Sequence, residues 1–253
     1  EGFWDLFREQ EATTFGGVPY TFEMLKKMHF LQMEFPSLKT VTQAGGKLSV
    51  ELSREFAEHA ASRDIRFFVM YGQTEATARM SYLHPGYALS KCGSIGVSIQ
   101  GGEFSLVDGN AKVIDGYDME GELVYRGENV TLGYAESRED LAKGDEFGGV
   151  LYTGDIARRD QDGFYYIVGR KKRFIKIFGN RVNLDETEQM IKELLPDCAC
   201  CGIDDSMLVY VTEPRREKEV LQLITSRTGI HSSAFSVKVI SEIPRSLSGK
   251  TLY

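Results

Sequence analysis

Residues 65–75, IRFFVMYGQTE, join a largely apolar run to a polar turn that contains a glycine. The run is typical of a buried strand in a parallel sheet, and ligands of such sheets bind at the carboxyl ends of the strands. The turn that follows offers an aromatic ring at Tyr71, a hydroxyl at Thr74 and a carboxylate at Glu75. These groups suit a base, a phosphate and Mg²⁺. The alternative is an ordinary strand-to-helix turn with Glu75 in the first turn of the helix.

Helices and strands alternate around this stretch. Apolar residues at helical spacing predict a helix over residues 20–30, and residues 38–42 predict a short strand. Gly45 and Gly46 follow that strand, and Ser49 can cap the next helix. This alternation indicates an α/β arrangement in the first part of the chain.

The middle of the chain is rich in predicted strands with short connections. Asp108-Gly109-Asn110 is a hairpin-turn signal, and further strands are predicted over residues 121–127, 150–152 and 164–168. Asp155, in Tyr152-Thr153-Gly154-Asp155, is expected at a strand end. One carboxylate there could accept hydrogen bonds from both hydroxyls of a ribose, although Asp and Gly also serve ordinary turns.

After Arg170 the pattern becomes that of a small α+β unit. A strand is predicted over residues 174–178, and Asn183 with Glu186 predicts a capping box for a helix that Pro196 ends. The elements predicted after it are a strand over residues 207–211, a helix over residues 217–227 that Gly229 ends, and a strand over residues 235–240. The boundary between the two parts is expected at residues 170–173.

The composition is globular and disfavours several functional classes. Hydrophobic residues make up 42% of the chain and charged residues 26%, and 30 basic against 37 acidic residues give a net charge of −7. Such a chain is a poor general binder of nucleic acid or anionic membranes, although the basic residues 170–173 could form a local nucleic-acid patch or a solvated face. No stretch has the ~20 apolar residues of a membrane span.

The start of the chain and the cysteines indicate in which compartment the protein is expected. No secretion signal is visible at the start of the chain. The cysteines, clustered at residues 198–201 apart from Cys92, fit neither a zinc pattern nor close disulfide pairs. A reduced, cytoplasmic protein is therefore expected.

A phosphate-binding loop is suggested near the end of the chain, but the match fails. Gly249-Lys250-Thr251 has the end of a GxxxxGK(S/T) loop, but Pro244 stands where the first glycine is needed. Lys250 beside a Ser-Gly pair could still reach a distant anion, or it could be an exposed lysine near the terminus.

The order of five motifs resembles that of the adenylate-forming superfamily, which holds acyl-CoA synthetases, adenylation domains that load carrier proteins, and luciferases. The motifs are Tyr71-Gly72-Gln73-Thr74-Glu75, Gly121-Glu122-Leu123 with Gly133-Tyr134, Tyr152-Thr153-Gly154-Asp155, Gly169-Arg170 with Gly179, and Pro244-Arg245 with Ser248-Gly249-Lys250. The resemblance covers nearly the whole chain.

This resemblance implies a fold and a domain organisation. Residues 1–169 would be the carboxyl-terminal part of a large AMP-binding domain, with an α/β part over 1–97 and a β-rich part over 98–169. Residues 170–173 would be a hinge, and residues 174–253 a small mobile α+β domain. The family's phosphate loop has no match here, so we expect the chain to be a carboxyl-terminal portion that does not catalyse adenylation alone.

The resemblance also implies a ligase that uses ATP and Mg²⁺. A carboxylic acid attacks the α-phosphate to give acyl-AMP and pyrophosphate, and a thiol of CoA or of phosphopantetheine then takes the acyl group. The first step brings two anions together, so cations and positioning must offset their repulsion. CoA is the preferred acceptor. The alternatives are an adenylation domain that loads a carrier protein and a non-catalytic nucleotide-binding or interaction module on the same scaffold.

The implied roles in the first part of the chain centre on the nucleotide. Glu75 would hold Mg²⁺, Thr74 would contact the α-phosphate, and Tyr71 would lie against adenine. The other implied nucleotide contacts there are Gly45, Gly46, Gly72, Gln73 and Asp155. Gly45 and Gly46 could instead line the acyl pocket, where two glycines would leave room for a bulky acid.

The implied roles in the last part of the chain concern the two half-reactions. Arg170 would hold the ribose together with Asp155, and Lys250 would bridge the carboxylate and the phosphate. Lys172 matches the position about which the small domain rotates, and Gly179 would face the thiol tunnel after that rotation.

Overall fold

The computed structural model describes residues 2–246 and 251–253. The chain divides into two compact units, Glu1–Val168 and Gly169–Tyr253. That the second unit is a mobile domain hinged at residues 170–173 stays a prediction. No helix among the described residues is both long and apolar enough to cross a membrane.

The first unit opens with an α/β layer. Its helices and strands are α1 (Gly2–Glu9), β1 (Thr14–Gly17), α2 (Pro19–Lys27), β2 (Thr40–Gln43), α3 (Val50–Ser62), β3 (Arg66–Tyr71), β4 (Ser81–Leu83) and β5 (Val97–Ser98). The five strands form one sheet in chain order, in which β1, β2 and β3 are parallel and β4 and β5 are antiparallel. Its core is aromatic, with the rings of Phe22 and Phe56 4.8 Å apart and Phe30 and Phe67 also buried.

Local signals in this layer were partly confirmed. Ser49 caps α3, since its hydroxyl accepts a hydrogen bond from the Leu52 amide at 3.2 Å. The predicted helix over residues 20–30 is too long, because His29 adopts a left-handed φ of 58° and a 3-10 turn carries Phe30 into the core. The run over residues 65–70 is only half buried, because burial alternates along it: Ile65, Phe67 and Val69 are buried, whereas Arg66 is exposed. β3 is also not purely parallel in its pairing, since β4 lies antiparallel to it.

A second, antiparallel sheet completes the first unit. Its strands are β6 (Gly102–Val107), β7 (Glu120–Gly127), β8 (Val150–Arg159) and β9 (Tyr165–Arg170), paired in that order. The last two residues of β9, Gly169 and Arg170, belong to the second unit. Asp108 does form a turn, as its carboxylate accepts from the amides of Asn110 and Lys112. However, the predicted hairpin extends only to a single bridge between Val107 and Val113, and the next strand starts at Glu120.

The second unit is α+β. Its elements are β10 (Phe174–Ile177), β11 (Asn180–Asn183), α4 (Leu184–Lys192), β12 (Cys198–Ile203), β13 (Ser206–Val211), α5 (Glu217–Thr228) and β14 (Phe235–Val239). β10 and β11 form a hairpin, while β13 lies between antiparallel β12 and parallel β14. The residues buried together between helices and sheet include Ile177, Ile191, Met207, Val209 and Ile224. The predicted order of α/β, β-rich and α+β parts is therefore confirmed.

Two details of this unit differ from the sequence analysis. The Asn183 side chain caps α4 by accepting from the Asp185 amide at 3.0 Å, one residue earlier than a capping box requires. α4 then ends at Lys192, so Pro196 lies beyond its end. The cysteine-rich segment was not assigned to an element and forms β12. Gly229 does end α5, with a φ of 69°.

The burial of β12 makes a testable prediction about thiol reactivity. Burial raises the pKa of Cys198 to about 12 and raises that of Cys200 well above its usual range. Because the thiolate is the reactive form, native alkylation near neutral pH should modify Cys92 and Cys201, which are only partly buried. Peptide mass spectrometry would read the sites, with a denatured sample as the control in which all four react. Equal native labelling of Cys200 and Cys92 would contradict the structure.

Candidate functional site

The polar turn after β3 is built tightly on its own backbone. A Cβ at Gly72 would lie 2.5 Å from the carbonyl oxygen of Ala78, so the loop itself requires a glycine there. Thr77 and Ala78 have left-handed φ values of 53° and 60°. Non-glycine residues adopt that region at a cost, and such strain concentrates at functional sites.

Two residues that follow β7 of the second sheet, Asn129 and Thr131, hold this loop in place. The Asn129 side-chain amide donates to the carbonyl oxygens of Ala76 and Arg79, at 2.8 and 3.1 Å. Asn129 itself accepts from the hydroxyl of the fully buried Tyr125 at 2.8 Å. In addition, the Thr131 amide donates to the Glu75 carbonyl oxygen at 2.7 Å. The sequence analysis missed Asn129, because a single asparagine after a strand carries no distinguishing signal.

The prediction that Asp155 stands at a strand end is wrong, because Asp155 lies within β8. In the pairing with β7, Tyr152 lies opposite Val124 and Ile156 opposite Glu122, so residues 153–155 face one residue, Leu123. This bulge is possible because Gly154 has a φ of 68°. The Thr153 hydroxyl fixes it by donating to the Leu123 carbonyl oxygen at 2.7 Å.

The bulge brings Asp155 to the end of β3. The Tyr71 hydroxyl donates to Asp155 Oδ2 at 2.6 Å, and Gln73 Nε2 donates to the same oxygen at 3.1 Å. Gln73 Nε2 also donates to the Thr153 carbonyl oxygen at 2.9 Å. Two motifs about 80 residues apart thus form one cluster around a carboxylate that is 6% exposed. A carboxylate has about four acceptor positions, so such a cluster suits a ligand that carries hydroxyl groups.

Glu75 is a second polar side chain of the candidate site, and it lies on the same loop. The Tyr134 hydroxyl donates to Glu75 Oε1 at 2.7 Å, and this hydrogen bond raises the pKa of Tyr134. The ring of Tyr134 packs edge-on against Phe147 at 5.7 Å. Among the described residues, no group of three or more His, Cys, Asp or Glu side chains could hold a metal ion. One carboxylate is nevertheless adequate for Mg²⁺, which takes its other ligands from phosphates and water.

Gly45 and Gly46 lie beyond the end of β2, which is the parallel neighbour of β3. The predicted site residues Gly45 and Gly46 thus follow the carboxyl end of β2, and the predicted site residues 72–75 follow the carboxyl end of its neighbour β3. A Cβ at Gly45 or Gly46 would come within 3.1 Å of Val18 or Pro19. The small residues are thus explained by local packing, and they do not by themselves indicate room for a bulky acid.

The neighbouring Gln43 was missed by the sequence analysis. Its Nε2 donates to the Gly46 carbonyl oxygen at 2.8 Å, whereas its buried Oε1 has no hydrogen-bond partner among the residues that the structure describes. A glutamine in a short strand gives no sequence signal of such a contact.

The other predicted site residues belong to the second unit or lie outside the described residues. Arg170 ends β9, Lys172 lies in the 3-10 turn Lys171–Arg173, and Gly179 lies in the β10–β11 turn with a φ of 82°. Lys250 lies outside the described residues. The four basic residues are not one solvated face, because Arg173 is buried and paired with Asp185 and Glu188.

The cluster around Asp155 predicts a stability effect. Tyr71→Phe removes a hydrogen bond to a buried carboxylate and should lower the free energy of unfolding by about 1–2 kcal/mol. Tyr134→Phe removes an exposed hydrogen bond to a carboxylate and is the matched control, expected to cost less than about 0.5 kcal/mol. Urea unfolding followed by the fluorescence of Trp4, the only tryptophan, would report on the first unit. Equal losses in both variants would contradict the assigned role of Asp155.

Comparisons with known proteins agree on one family. The profile of the family described as "AMP-binding enzyme" matches residues 1–135. Acetyl-coenzyme A synthetase 2 of Candida albicans is 25% identical over 99% of this chain, and 2-succinylbenzoate–CoA ligase of a Geobacillus species is 29% identical over 77% of it. The chain spans 41% of the length of each of these relatives.

A solved structure shares the fold. The o-succinylbenzoate CoA synthetase of Bacillus subtilis, in complex with its acyl-adenylate intermediate, superposes with a TM-score of 0.79 at 20% identity. The match covers 98% of this chain and 51% of the other. At this level of identity the likeness establishes the architecture.

Proposed function

Because this chain belongs to the AMP-binding enzyme family, we propose that it serves in the ATP-dependent activation of a carboxylic acid as acyl-AMP, followed by transfer of the acyl group to the thiol of CoA. The observation that carries the proposal is the cluster in which Tyr71 and Gln73 donate to Asp155 at the end of β3. The cluster stands where nucleotides bind in α/β sheets.

The cluster is suited to the ribose of the nucleotide. Tyr71 and Gln73 both donate to Oδ2, which fixes the orientation of the Asp155 carboxylate. A fixed carboxylate can accept hydrogen bonds from two neighbouring hydroxyls without losing side-chain entropy on binding. The burial of Asp155 strengthens such bonds, because water competes less for them. Arg170 is assigned to the same ribose by its place in the family motif.

Glu75 and Thr74 are assigned to the phosphate end of the nucleotide. The Glu75 carboxylate would hold Mg²⁺ together with phosphate oxygens, and Thr74, whose side chain is exposed, would donate to the α-phosphate. Mg²⁺, when bound, offsets the negative charge of the phosphates. The hydrogen bonds from Asn129 and Thr131 to the loop keep Thr74 and Glu75 in place. This matters because the positioning of reacting groups supplies much of the catalysis in such reactions.

Three residues of the last part of the chain are assigned to the exchange between half-reactions. Lys250 would bridge the carboxylate and the α-phosphate during adenylation. Lys172 would be the hinge residue, and Gly179 would line the path of the thiol. A positive φ at Gly179 allows a tight turn in the β10–β11 hairpin.

CoA is the acceptor that we propose. The two relatives described above are named as an acetyl-coenzyme A synthetase and a 2-succinylbenzoate–CoA ligase, and both names give CoA as the partner of the acyl group. A carrier protein with a phosphopantetheine arm would present the same thiol chemistry. Supplying preformed acyl-AMP with either CoA or a loaded carrier protein would separate the two acceptors.

The ribose assignment predicts a specific pattern of nucleotide affinities. Wild type should bind AMP more tightly than 2′,3′-dideoxy-AMP, because the Asp155 carboxylate accepts from the hydroxyls. Asp155→Ala should weaken AMP binding about 10- to 100-fold, equivalent to about 1.4–2.8 kcal/mol, and should not distinguish the two ligands. Isothermal titration calorimetry measures both affinities. Asp108→Ala, at an exposed turn, is the control that should retain the wild-type preference. Equal affinities of the wild-type protein for the two nucleotides would refute the proposal.

The metal assignment predicts a separate effect at Glu75. Glu75→Gln keeps the size of the side chain but removes the charge that Mg²⁺ requires. We expect weaker binding of Mn²⁺ in the presence of ATP, measured by electron paramagnetic resonance, with little change in AMP affinity without metal. An unchanged Mn²⁺ affinity in Glu75→Gln would show that the ion is held elsewhere.

A further inference from the structure

A cleft of about 270 Å³ lies in the first unit, at the amino ends of β2 and β3. Leu38, two residues before β2, and Ile65, directly before β3, are among its lining residues. The candidate nucleotide site follows the opposite ends of the same two strands. β3 has six residues, and a strand rises about 3.3 Å per residue, so about 20 Å of strand separates the two places. The cleft is therefore not part of the nucleotide site.

The apolar lining of the cleft is fixed by packing inside the first unit. Phe35 lines the cleft and is buried, because its ring stacks on that of Phe30 at 5.4 Å and lies 5.2 Å from that of Trp4. Leu38 and Ile65 are buried as well. A preformed apolar surface of this kind can take up the apolar body of a small molecule with little cost of ordering.

The end of α3 contributes the polar lining. His59 lies in the last turn of α3 and Arg63 directly follows the helix, so the two residues are four positions apart and neighbours on one face. Within the part of the chain that the structure describes, neither the imidazole nor the guanidinium forms a hydrogen bond. Burial and the charge of Arg63 lower the pKa of His59. The imidazole is therefore neutral near pH 7 and can donate one hydrogen bond.

The acid that pairs with Arg63 is a weak partner. Glu34 Oε1 lies 3.9 Å from Arg63 NH1, and the Glu34 side chain is 81% exposed. That distance is longer than a hydrogen bond, and exposed ion pairs contribute little. The guanidinium thus keeps its N–H donors for an anion that comes closer than Glu34 does.

We propose that this cleft binds a small carboxylic acid with an apolar body. The carboxylate pairs with Arg63, because its two oxygens match the planar fork of guanidinium donors, and His59 donates a further hydrogen bond. The apolar body lies against Phe35, Leu38 and Ile65. A ligand needs both parts, since an alcohol leaves the guanidinium without a counter-charge and a small anion leaves the apolar surface in water. The inference goes beyond the proposed function and does not depend on it, because the cleft is separate from the nucleotide site.

Direct binding of octanoate to the whole chain tests the proposal without any turnover. Trp4 is the only tryptophan, and its contact with Phe35 makes its fluorescence a reporter of the cleft. Octanol has the apolar body without the charge, and acetate has the charge without the body. Octanoate should bind at least about 10-fold more tightly than either. Equal affinities for octanoate and octanol would show that the cleft does not recognise an anion and would overturn the proposal.

A matched pair of variants on the same helix tests the role of Arg63. Arg63→Gln removes the charge and should weaken octanoate binding about 10-fold while leaving octanol binding unchanged. The expected loss is at the lower end for a hydrogen bond to a charged group, because the Arg63 side chain is 35% exposed and the end of a helix carries a partial negative charge. Arg54→Gln, at an exposed position of α3, should bind octanoate like wild type. Wild-type affinity in Arg63→Gln would place the acid elsewhere and overturn the proposal.

Octylamine tests the opposite assignment of charge. It has a similar apolar body and a positive head group, so it would be preferred if Glu34 were the recognising group of the cleft. It should bind at least about 10-fold more weakly than octanoate, because the Arg63 guanidinium repels it. Binding of octylamine as tight as that of octanoate would contradict the recognition of a carboxylate.

Discussion

The hydrogen bonds that converge on Asp155 Oδ2 are the interaction on which the first unit's site depends. They join the last residue of β3 to an interior residue of β8, and so they connect two sheets that the chain builds separately. Without the bulge at residues 153–155, the strand would pair regularly with β7 and Asp155 would occupy another register position. A glycine in the left-handed region is what permits the bulge, so one backbone conformation sets the geometry of the cluster.

A similar logic applies to the loop that follows Tyr71. Gly72 permits a close approach of the loop to its own backbone, and Asn129 holds the carbonyl groups that this approach exposes. The strained backbone at Thr77 and Ala78 is held in place by the hydrogen bonds that Asn129 and Thr131 make to the loop. Glu75 and Thr74 are therefore carried on a rigid support, as the roles proposed for them at the phosphate end of a nucleotide require.

The sequence predicted the elements with strong local signals and the residues of the motifs. The Ser49 cap, the helix that Gly229 ends and the strand after Gly121 depend on neighbours along the chain, and the structure confirms them. β1 and β12 were missed because pairing with other strands, and not local pattern, creates them. Likewise, Tyr71, Gln73 and Asp155 could be chosen from the sequence motifs. The hydrogen bonds among them could not be predicted, because they depend on a bulge that has no local sequence pattern.

The distribution of accessible thiols has a practical consequence. Cys198 and Cys200 are buried, whereas Cys92 in the first unit and Cys201 in the second are only partly so. Each of the two units thus has one partly buried thiol to which a spectroscopic probe can be attached. A donor–acceptor pair of fluorophores on Cys92 and Cys201 would test the proposed hinge at residues 170–173, which requires the distance between these two residues to change when ATP and a carboxylic acid are added.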